Sequence, residues 1–124
     1  MALRSMLLAV FLLAPVFAWP VFAWAETRLL MLDRSACEWC ERWDAEVGIV
    51  YAMTAEGKRA PLLRSNIFES LPEGIVLTRR AHFTPTFVLV KDGAEIGRIE
   101  GYPGEDFFYG MLQQMLDRAA KPES

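Results

Sequence analysis

The chain of 124 residues has only two cysteines, Cys37 and Cys40, and a single histidine, His82. A structural zinc site needs four ligands, usually Cys and His, so these residues cannot complete one without carboxylates. Cations are also few, since 13 Lys and Arg stand against 16 Asp and Glu, and no Lys/Arg block occurs. We therefore expect no metal site, and no nucleic acid or anionic membrane as a binding partner.

Internal repeats are absent, and there is no low-complexity run after the N-terminal segment. Residues 26–124 are enough for one small domain with one modest core, but not for two domains. Their mixed charges and many aromatic residues exclude a disordered tail. We therefore expect a single globular domain over residues 26–124.

Residues 1–25 contain one charged residue, Arg4, and no acid. An apolar run without charge follows this positive start, and Ala23-Trp24-Ala25 has the small-x-small form that signal peptidase accepts. We predict a signal peptide over residues 1–25, cleaved after Ala25. The alternative is an uncleaved membrane anchor, although Pro15 and Pro20 disfavour a helix there. Either way, the domain is expected outside the cytoplasmic membrane, in an oxidising environment.

The first half of the domain reads as a strand followed by a helix. Residues 28–33 form an apolar run of strand length. Ser35 and Glu38 fit a capping box, as the N-cap residue and the third helical residue. Residues 54–60 read as a loop or a frayed helix end. The predicted helix carries apolar residues at steps of three and four, namely Trp39, Trp43, Val47, Val50 and Tyr51.

The second half predicts three strands and a final helix. The strands are expected at residues 61–67, 86–90 and 95–100, the last two joined by a hairpin turn at Asp92-Gly93. Residues 68–82 read as irregular or briefly helical. The order is therefore β-α-β-(α)-β-β-α, an α/β fold with a central mixed sheet flanked by helices. The final helix, residues 105–120, has one apolar face made of Phe107, Phe108, Met111, Leu112, Met115 and Leu116.

Cys37-Glu38-Trp39-Cys40 is the motif that predicts chemistry. Residues i and i+3 at the start of a helix share a face, so the two sulfurs can meet. Unpaired N–H groups and the helix dipole favour a thiolate at the first cysteine, and a thiolate is what disulfide exchange requires. We assign Cys37 as the attacking thiol and Cys40 as the resolving thiol that releases the partner.

Three other interpretations of this motif are weaker. Haem attachment needs His at the next position, which is Glu41. A zinc knuckle needs a second pair of ligands, and the sequence shows none. A purely structural disulfide is possible, but closing so short a loop removes little entropy from the unfolded chain. The strand–CxxC–helix context favours the redox interpretation.

With these residues, the sequence resembles a thioredoxin-fold protein. The resemblance rests on the strand at Leu29–Leu32, the CEWC motif, and Phe83-Thr84-Pro85-Thr86 before a strand and hairpin. It implies a cis Thr84–Pro85 bond facing the cysteines, and a Thr84 backbone that pairs with an extended substrate segment. It also implies that Gly101, lacking a side chain, lets a partner approach the dithiol.

More narrowly, TPTFVLVKDG (84–93) and GRIEGYPGEDFF (97–108) are similar to the small periplasmic SoxS-type thioredoxins of bacterial sulfur-oxidation systems. That resemblance implies a thiol-disulfide reductant that keeps the cysteine of a sulfur-carrier protein active.

The sequence also departs from ordinary thioredoxin. Glu38-Trp39 replaces Gly-Pro between the cysteines, and Ala36 replaces the preceding Trp. Met31 occupies the place of the buried acid that shuttles a proton for the second cysteine. Only Glu26 and Thr27 precede the first strand, so we expect the fold's leading strand and helix to be missing.

Individual residues near the motif carry further hypotheses. Glu38 caps its helix and places a negative charge beside Cys37, which disfavours the thiolate and favours a reducing couple. Trp39 has two open interpretations, partner docking and core packing. His82 is read as a solvated loop residue, with a proton relay as the alternative. Arg79 and Arg80 form a solvated pair that could also steer an acidic partner. Trp43, Met111 and Met115 are assigned to the core, and Tyr102 to the rim of the site.

We therefore expect an exported, periplasmic thiol-disulfide oxidoreductase that reduces a reactive cysteine on a partner protein. A membrane thiol carrier would supply its electrons, and the dithiol would need no cofactor. We expect a monomer. Two alternatives stay open: a disulfide oxidase or isomerase, and a non-catalytic binding module that uses residues 102–108.

Overall fold

The computed structural model describes Ala18 and residues 26–122. Apart from Ala18, the predicted signal peptide lies outside the described residues. Among the helices of the described part, none is long and apolar enough to cross a membrane.

Four strands form one mixed sheet: β1 (Thr27–Asp33), β2 (Leu62–Asn66), β3 (Thr86–Lys91) and β4 (Ala94–Glu100). The spatial order is β2-β1-β3-β4, with β1 and β2 parallel and the other neighbours antiparallel. Each strand lies within one residue of its predicted bounds at either end. The central strands β1 and β3 are apolar on both faces because both faces of the sheet are covered.

The helix after the cysteines is shorter than predicted. Helix α1 spans Glu38–Trp43, a π-helical turn continues it over Asp44–Gly48, and a 3₁₀ turn follows at Tyr51–Met53. The apolar side chains at four-residue steps, Trp43, Val47 and Tyr51, are still buried together. Trp39 and Val50 are exposed, so the predicted apolar face of this helix included two residues that do not pack in the core.

Residues 54–60 were predicted as a loop or frayed end, and this prediction is wrong. Helix α2 spans Ala55–Arg59, and the Thr54 hydroxyl accepts a hydrogen bond from the Gly57 N–H at 3.0 Å. Thr54 thus satisfies a free N–H of the first turn and starts a separate helix.

The optional helix in residues 68–82 does not form. This segment is irregular apart from a bridge between Val76 and Ala94. Gly74 has a positive φ of 82° in the turn that Pro72 begins, which excludes a continuous helix. The segment leads directly to Thr84 and Pro85 and so positions them.

The last helix, α3, spans Glu105–Ala120 as predicted. It packs with α1 on one face of the sheet, where Trp43, Phe87 and Phe108 meet with ring centroids 4.9–5.8 Å apart. Trp43 and Met115 are core residues as predicted. Met111 is 41% exposed and Phe107 is also exposed, so their assignment to the apolar face was wrong.

The opposite face of the sheet has a smaller apolar cluster of Leu30, Leu32, Val88, Val90 and Ala81. Side chains of the irregular segment cover it in part, and no helix lies over it in the described residues.

Candidate functional site: the cysteine pair and the cis-proline loop

Cys37 and Cys40 form a disulfide at the start of α1. Strand β1 ends at Asp33, and the next turn brings Ala36 into the left-handed region, with φ 55°. Cys37 is the N-cap residue, and its Sγ accepts a hydrogen bond from the Cys40 N–H at 3.2 Å. The two Cα atoms lie 5.2 Å apart. The spacing therefore brings the sulfurs together as predicted.

The predicted capping box is wrong in register. Ser35 precedes the helix by three residues, and Glu38 is the first helical residue instead of the third. The cap is the Cys37 sulfur, because the left-handed Ala36 turns the chain directly before this residue. Glu38 is exposed, and its charge lies in the first turn of α1.

The loop before β3 has the predicted cis bond between Thr84 and Pro85. The Pro85 carbonyl accepts a hydrogen bond from the Gly101 N–H at 2.7 Å, which ties this loop to the end of β4. Within residues 26–122, no backbone group pairs with the N–H or the C=O of Thr84. These two groups are thus available to an added strand.

Gly101 has a positive φ of 82°, and a Cβ there would have no heavy atom within 4 Å. The space beside this residue is therefore open. A side chain would project into that space, and the backbone conformation would also be strained for any other residue.

A cleft of about 540 Å³ opens beside the cysteines, and we call it the Trp39 cleft. Trp39 forms part of the wall of this cleft and is 49% exposed. This exposure decides against the core-packing interpretation of Trp39. Three of the predicted site residues, Trp39, Thr84 and Gly101, line this cleft, and so does His82, whereas Glu38 and Pro85 do not. The lining residues are Arg34, Trp39, His82, Phe83, Thr84, Glu100 and Gly101.

Arg34 and Phe83 line the Trp39 cleft although neither was predicted to be a site residue. The Arg34 Nε donates a hydrogen bond to the Thr84 hydroxyl at 3.1 Å and so joins the cysteine turn to the cis-proline loop. The available signal for Arg34 was a cation placed directly after a buried strand and before the cysteines. Phe83 is 59% exposed in the cleft, and only the fold brings it near Trp39.

Tyr102 lines a second cleft, of about 390 Å³, on the other side of Trp39. It is nonetheless buried, and its hydroxyl donates a hydrogen bond to Glu46 at 2.6 Å. Burial, together with this carboxylate, raises the pKa of Tyr102 above its ordinary range. Glu46 also pairs with Arg42, whose guanidinium lies 5.3 Å from the centre of the Trp39 ring. Arg42, itself paired with Glu46, therefore covers one face of the exposed Trp39 indole.

Met31 lies fully buried in the same cluster as the two cysteines. The position at which the thioredoxin resemblance implies a buried acid is thus occupied by a thioether, which cannot transfer a proton.

This geometry has a close counterpart among solved structures. The periplasmic thioredoxin SoxS from Paracoccus pantotrophus, in its reduced form, matches with 49% identity and a TM-score of 0.74, over 76% of this chain and 99% of that one. This chain belongs to the thioredoxin family. A thioredoxin from Malassezia sympodialis shares the fold at 18% identity and a TM-score of 0.52, over 74% of this chain and 76% of that one. No family model and no curated protein matches the chain.

The membership confirms the predicted thioredoxin-like fold and the similarity to the SoxS-type thioredoxins. The protein is a thiol-disulfide oxidoreductase with a CxxC pair, and as a thioredoxin it acts on partner proteins that carry cysteines.

Proposed function

We propose that this thioredoxin is an exported periplasmic reductant that restores a reactive cysteine on a partner protein of a sulfur-oxidation system. The observation that carries the proposal is the 49% identity to a periplasmic SoxS over nearly the whole length of that protein, together with the CxxC pair of this chain.

The reaction is a pair of thiol-disulfide exchanges. The Cys37 thiolate attacks one sulfur of the partner's disulfide or sulfur adduct. That S–S bond breaks, a mixed S–S bond forms, and the leaving sulfur takes up a proton. The Cys40 thiolate then attacks Cys37, forms the Cys37–Cys40 disulfide and releases the partner's cysteine as a thiol. Two electrons pass from the dithiol to the partner, so the chemistry requires no cofactor or metal.

Three features of the site support these roles. The Cys40 N–H already points at the Cys37 sulfur, where it would also stabilise a thiolate. The free backbone groups of Thr84 can hold the partner's cysteine segment as an added strand. Trp39 offers an exposed aromatic surface beside the cysteines, a residue type favoured at interfaces.

The charge beside Cys37 favours the reducing direction. Glu38 follows Cys37 directly and carries a negative charge, which disfavours the thiolate and hence the reduced form. A less stable reduced form makes a stronger reductant. In the oxidising periplasm, a membrane thiol carrier would have to re-reduce the pair.

Trapping on a Cys40→Ser variant tests the partner. Without the resolving thiol, the mixed disulfide between Cys37 and the partner should accumulate and can be identified by mass spectrometry, whereas Cys37→Ser should trap nothing. Capture of a sulfur-carrier protein would support the proposal. Capture of disulfide-isomerase substrates alone would contradict the sulfur-oxidation link.

Export has its own test. The secreted protein should begin at Glu26, because the peptidase site is predicted after Ala25. Its mass in the periplasmic fraction decides between cleavage and the membrane-anchor alternative. Gel filtration of the same material tests the expected monomer.

The oxidase or isomerase alternative uses the same two cysteines with opposite electron flow. A measured reduction potential near −120 mV, as in strong oxidants, would favour it, and a potential near −270 mV would favour the reductant. Full biological activity of Cys37→Ser would instead favour a non-catalytic binding module.

A further inference from the structure

We propose that the partner-binding surface extends beyond the Trp39 cleft along a basic groove to an apolar cleft on the opposite face of the sheet. The structure assigns one occupant to this groove: an extended partner segment with acidic side chains next to its reactive cysteine and an apolar side chain further along. This inference rests on the proposed function, because it specifies the partner of the same site.

The groove is continuous because neighbouring clefts share walls. A connecting cleft of about 290 Å³ shares Arg34, His82 and Thr84 with the Trp39 cleft. At its other end it shares Phe68 and Arg80 with a cleft of about 520 Å³, which we call the Leu71 cleft. A segment bound at Thr84 thus has an open path to the Leu71 cleft.

The charge of the groove is complementary to an acidic segment. Within residues 26–122, neither Arg34 nor Arg80 forms an ion pair. Glu100, the acid of the Trp39 cleft, is paired with Arg79 at 2.9 Å. The cations of the connecting cleft are therefore free to meet a partner's carboxylates, and the other acid among the residues that line the groove is Glu69, at its far end in the Leu71 cleft.

The Leu71 cleft is apolar because the irregular segment covers this face of the sheet incompletely. Its floor includes Leu32 and Ala81 of the smaller core cluster, with Ile75 and Leu77 beside them. Phe68 is 79% exposed at the edge of the cleft. Burying one large apolar side chain of a partner there would strengthen binding.

An extended segment fits better than a second copy of this chain. The free N–H and C=O of Thr84 require a strand-like partner backbone, and the path leads away from them through a narrow connecting cleft.

The rates of thiol-disulfide exchange between designed peptides and the protein from residue 26 onward test the groove. One peptide has Asp on both sides of its cysteine and Leu further along, a second has Lys in place of Asp, and a third has Ser in place of Leu. Exchange is measured in both directions, from the reduced protein to the peptide disulfide and from the peptide thiol to the oxidised protein.

The wild type should exchange with the Asp peptide about tenfold faster than with the Lys peptide, and this preference should weaken at high salt. The double variant Arg34→Gln/Arg80→Gln should reduce the preference to about twofold. Arg59→Gln, which removes an arginine far from the groove, is the matched control and should keep it. Phe68→Ala should remove the advantage of the Leu peptide over the Ser peptide, and Phe107→Ala should not.

Arg34→Lys separates charge from loop geometry, because lysine keeps the charge but not the guanidinium geometry of the bond to Thr84. If this variant keeps the preference for the Asp peptide, recognition depends on charge.

Equal rates for the Asp and Lys peptides in the wild type, or an unchanged preference for the Asp peptide in the double variant, would overturn the groove. If the protein prefers the Asp peptide but electrons pass only from the peptide thiol to the oxidised protein, the groove is supported and the reductant proposal is overturned. No exchange in either direction would overturn both.

Discussion

Glu95 and Arg98 form an ion pair at 2.6 Å on β4, with side chains only 4% and 5% exposed. Each side chain also holds the irregular segment. The Thr78 N–H donates to Glu95 at 2.8 Å, and Arg98 donates to the Arg79 carbonyl at 2.7 Å. The pair therefore anchors the segment that leads to His82, Thr84 and Pro85.

Replacing Glu95 with Gln should destabilise the protein by about 3 kcal/mol, because the buried Arg98 loses its main counter-charge. Chemical denaturation measures this loss. Glu73→Gln, at an exposed position in the same segment, is the control and should change stability by less than about 0.5 kcal/mol. Similar effects of the two substitutions would contradict the anchoring role.

The same pair predicts how stability depends on pH. The Arg98 hydrogen bond lowers the pKa of Glu95 from 4.5 to about 2. A lowered pKa in the folded state contributes stability that is complete above pH 4.5 and is lost as the pH falls through about 2. The difference in unfolding free energy between wild type and Glu95→Gln should therefore shrink between pH 5 and pH 2. A constant difference over this range would show that the charge of Glu95 does not contribute.

The three tyrosines should titrate above the ordinary value of about 10. Burial is the main cause of the raised pKa of Tyr51, Tyr102 and Tyr109, and nearby carboxylates add to it. A raised pKa stabilises the fold below pH 10 and destabilises it as the pH rises further. Ultraviolet titration should therefore show tyrosinate appearing together with unfolding. The protein in denaturant, where all three should titrate near 10, is the control. A native fraction titrating near 10 would contradict the burial of these side chains.

Two glycines predict stability changes of opposite sign. A Cβ at Gly57 would overlap the Tyr51 backbone carbonyl, so Gly57→Ala should destabilise the protein by about 1–3 kcal/mol. At Gly110, inside α3, a Cβ meets nothing within 4 Å. Gly110→Ala should stabilise it by about 0.5–1 kcal/mol through helix propensity. Thermal unfolding of both variants checks the pair. The packing assigned around α2 would be wrong if Gly57→Ala were neutral.

Trp39→Ala should lower kcat/KM for a protein disulfide about tenfold, because the exposed indole forms part of the proposed docking surface. Reduction of a small-molecule disulfide should change less than twofold, and stability should not change. The control is Phe107→Ala, which removes an exposed aromatic side chain from a different helix, α3, and should affect neither reaction. Equal losses on both substrates would place Trp39 in the chemistry instead of in docking.

The sequence by itself determined the elements whose patterns are local. Alternating and continuous apolar runs located the four strands and α3, because period and length distinguish strand from helix. The CxxC spacing located the redox pair, since two sulfurs three residues apart at a helix start share a face and can meet. The residues around Pro85 and Gly101 carried the family resemblance.

Only the tertiary structure decided the features that depend on distant parts of the chain. Cys37 became the N-cap because the turn at Ala36 shifted the helix start. The apolar residues from Trp43 to Tyr51 are divided among a short α-helix, a π-helical turn and a 3₁₀ turn, and Trp43 packs against Phe87 and Phe108. Arg34 lies 50 positions before Thr84, and Glu46 lies 56 positions before Tyr102. Such pairs leave no periodic signal in the sequence, because their proximity arises only when the sheet and helices close around one core.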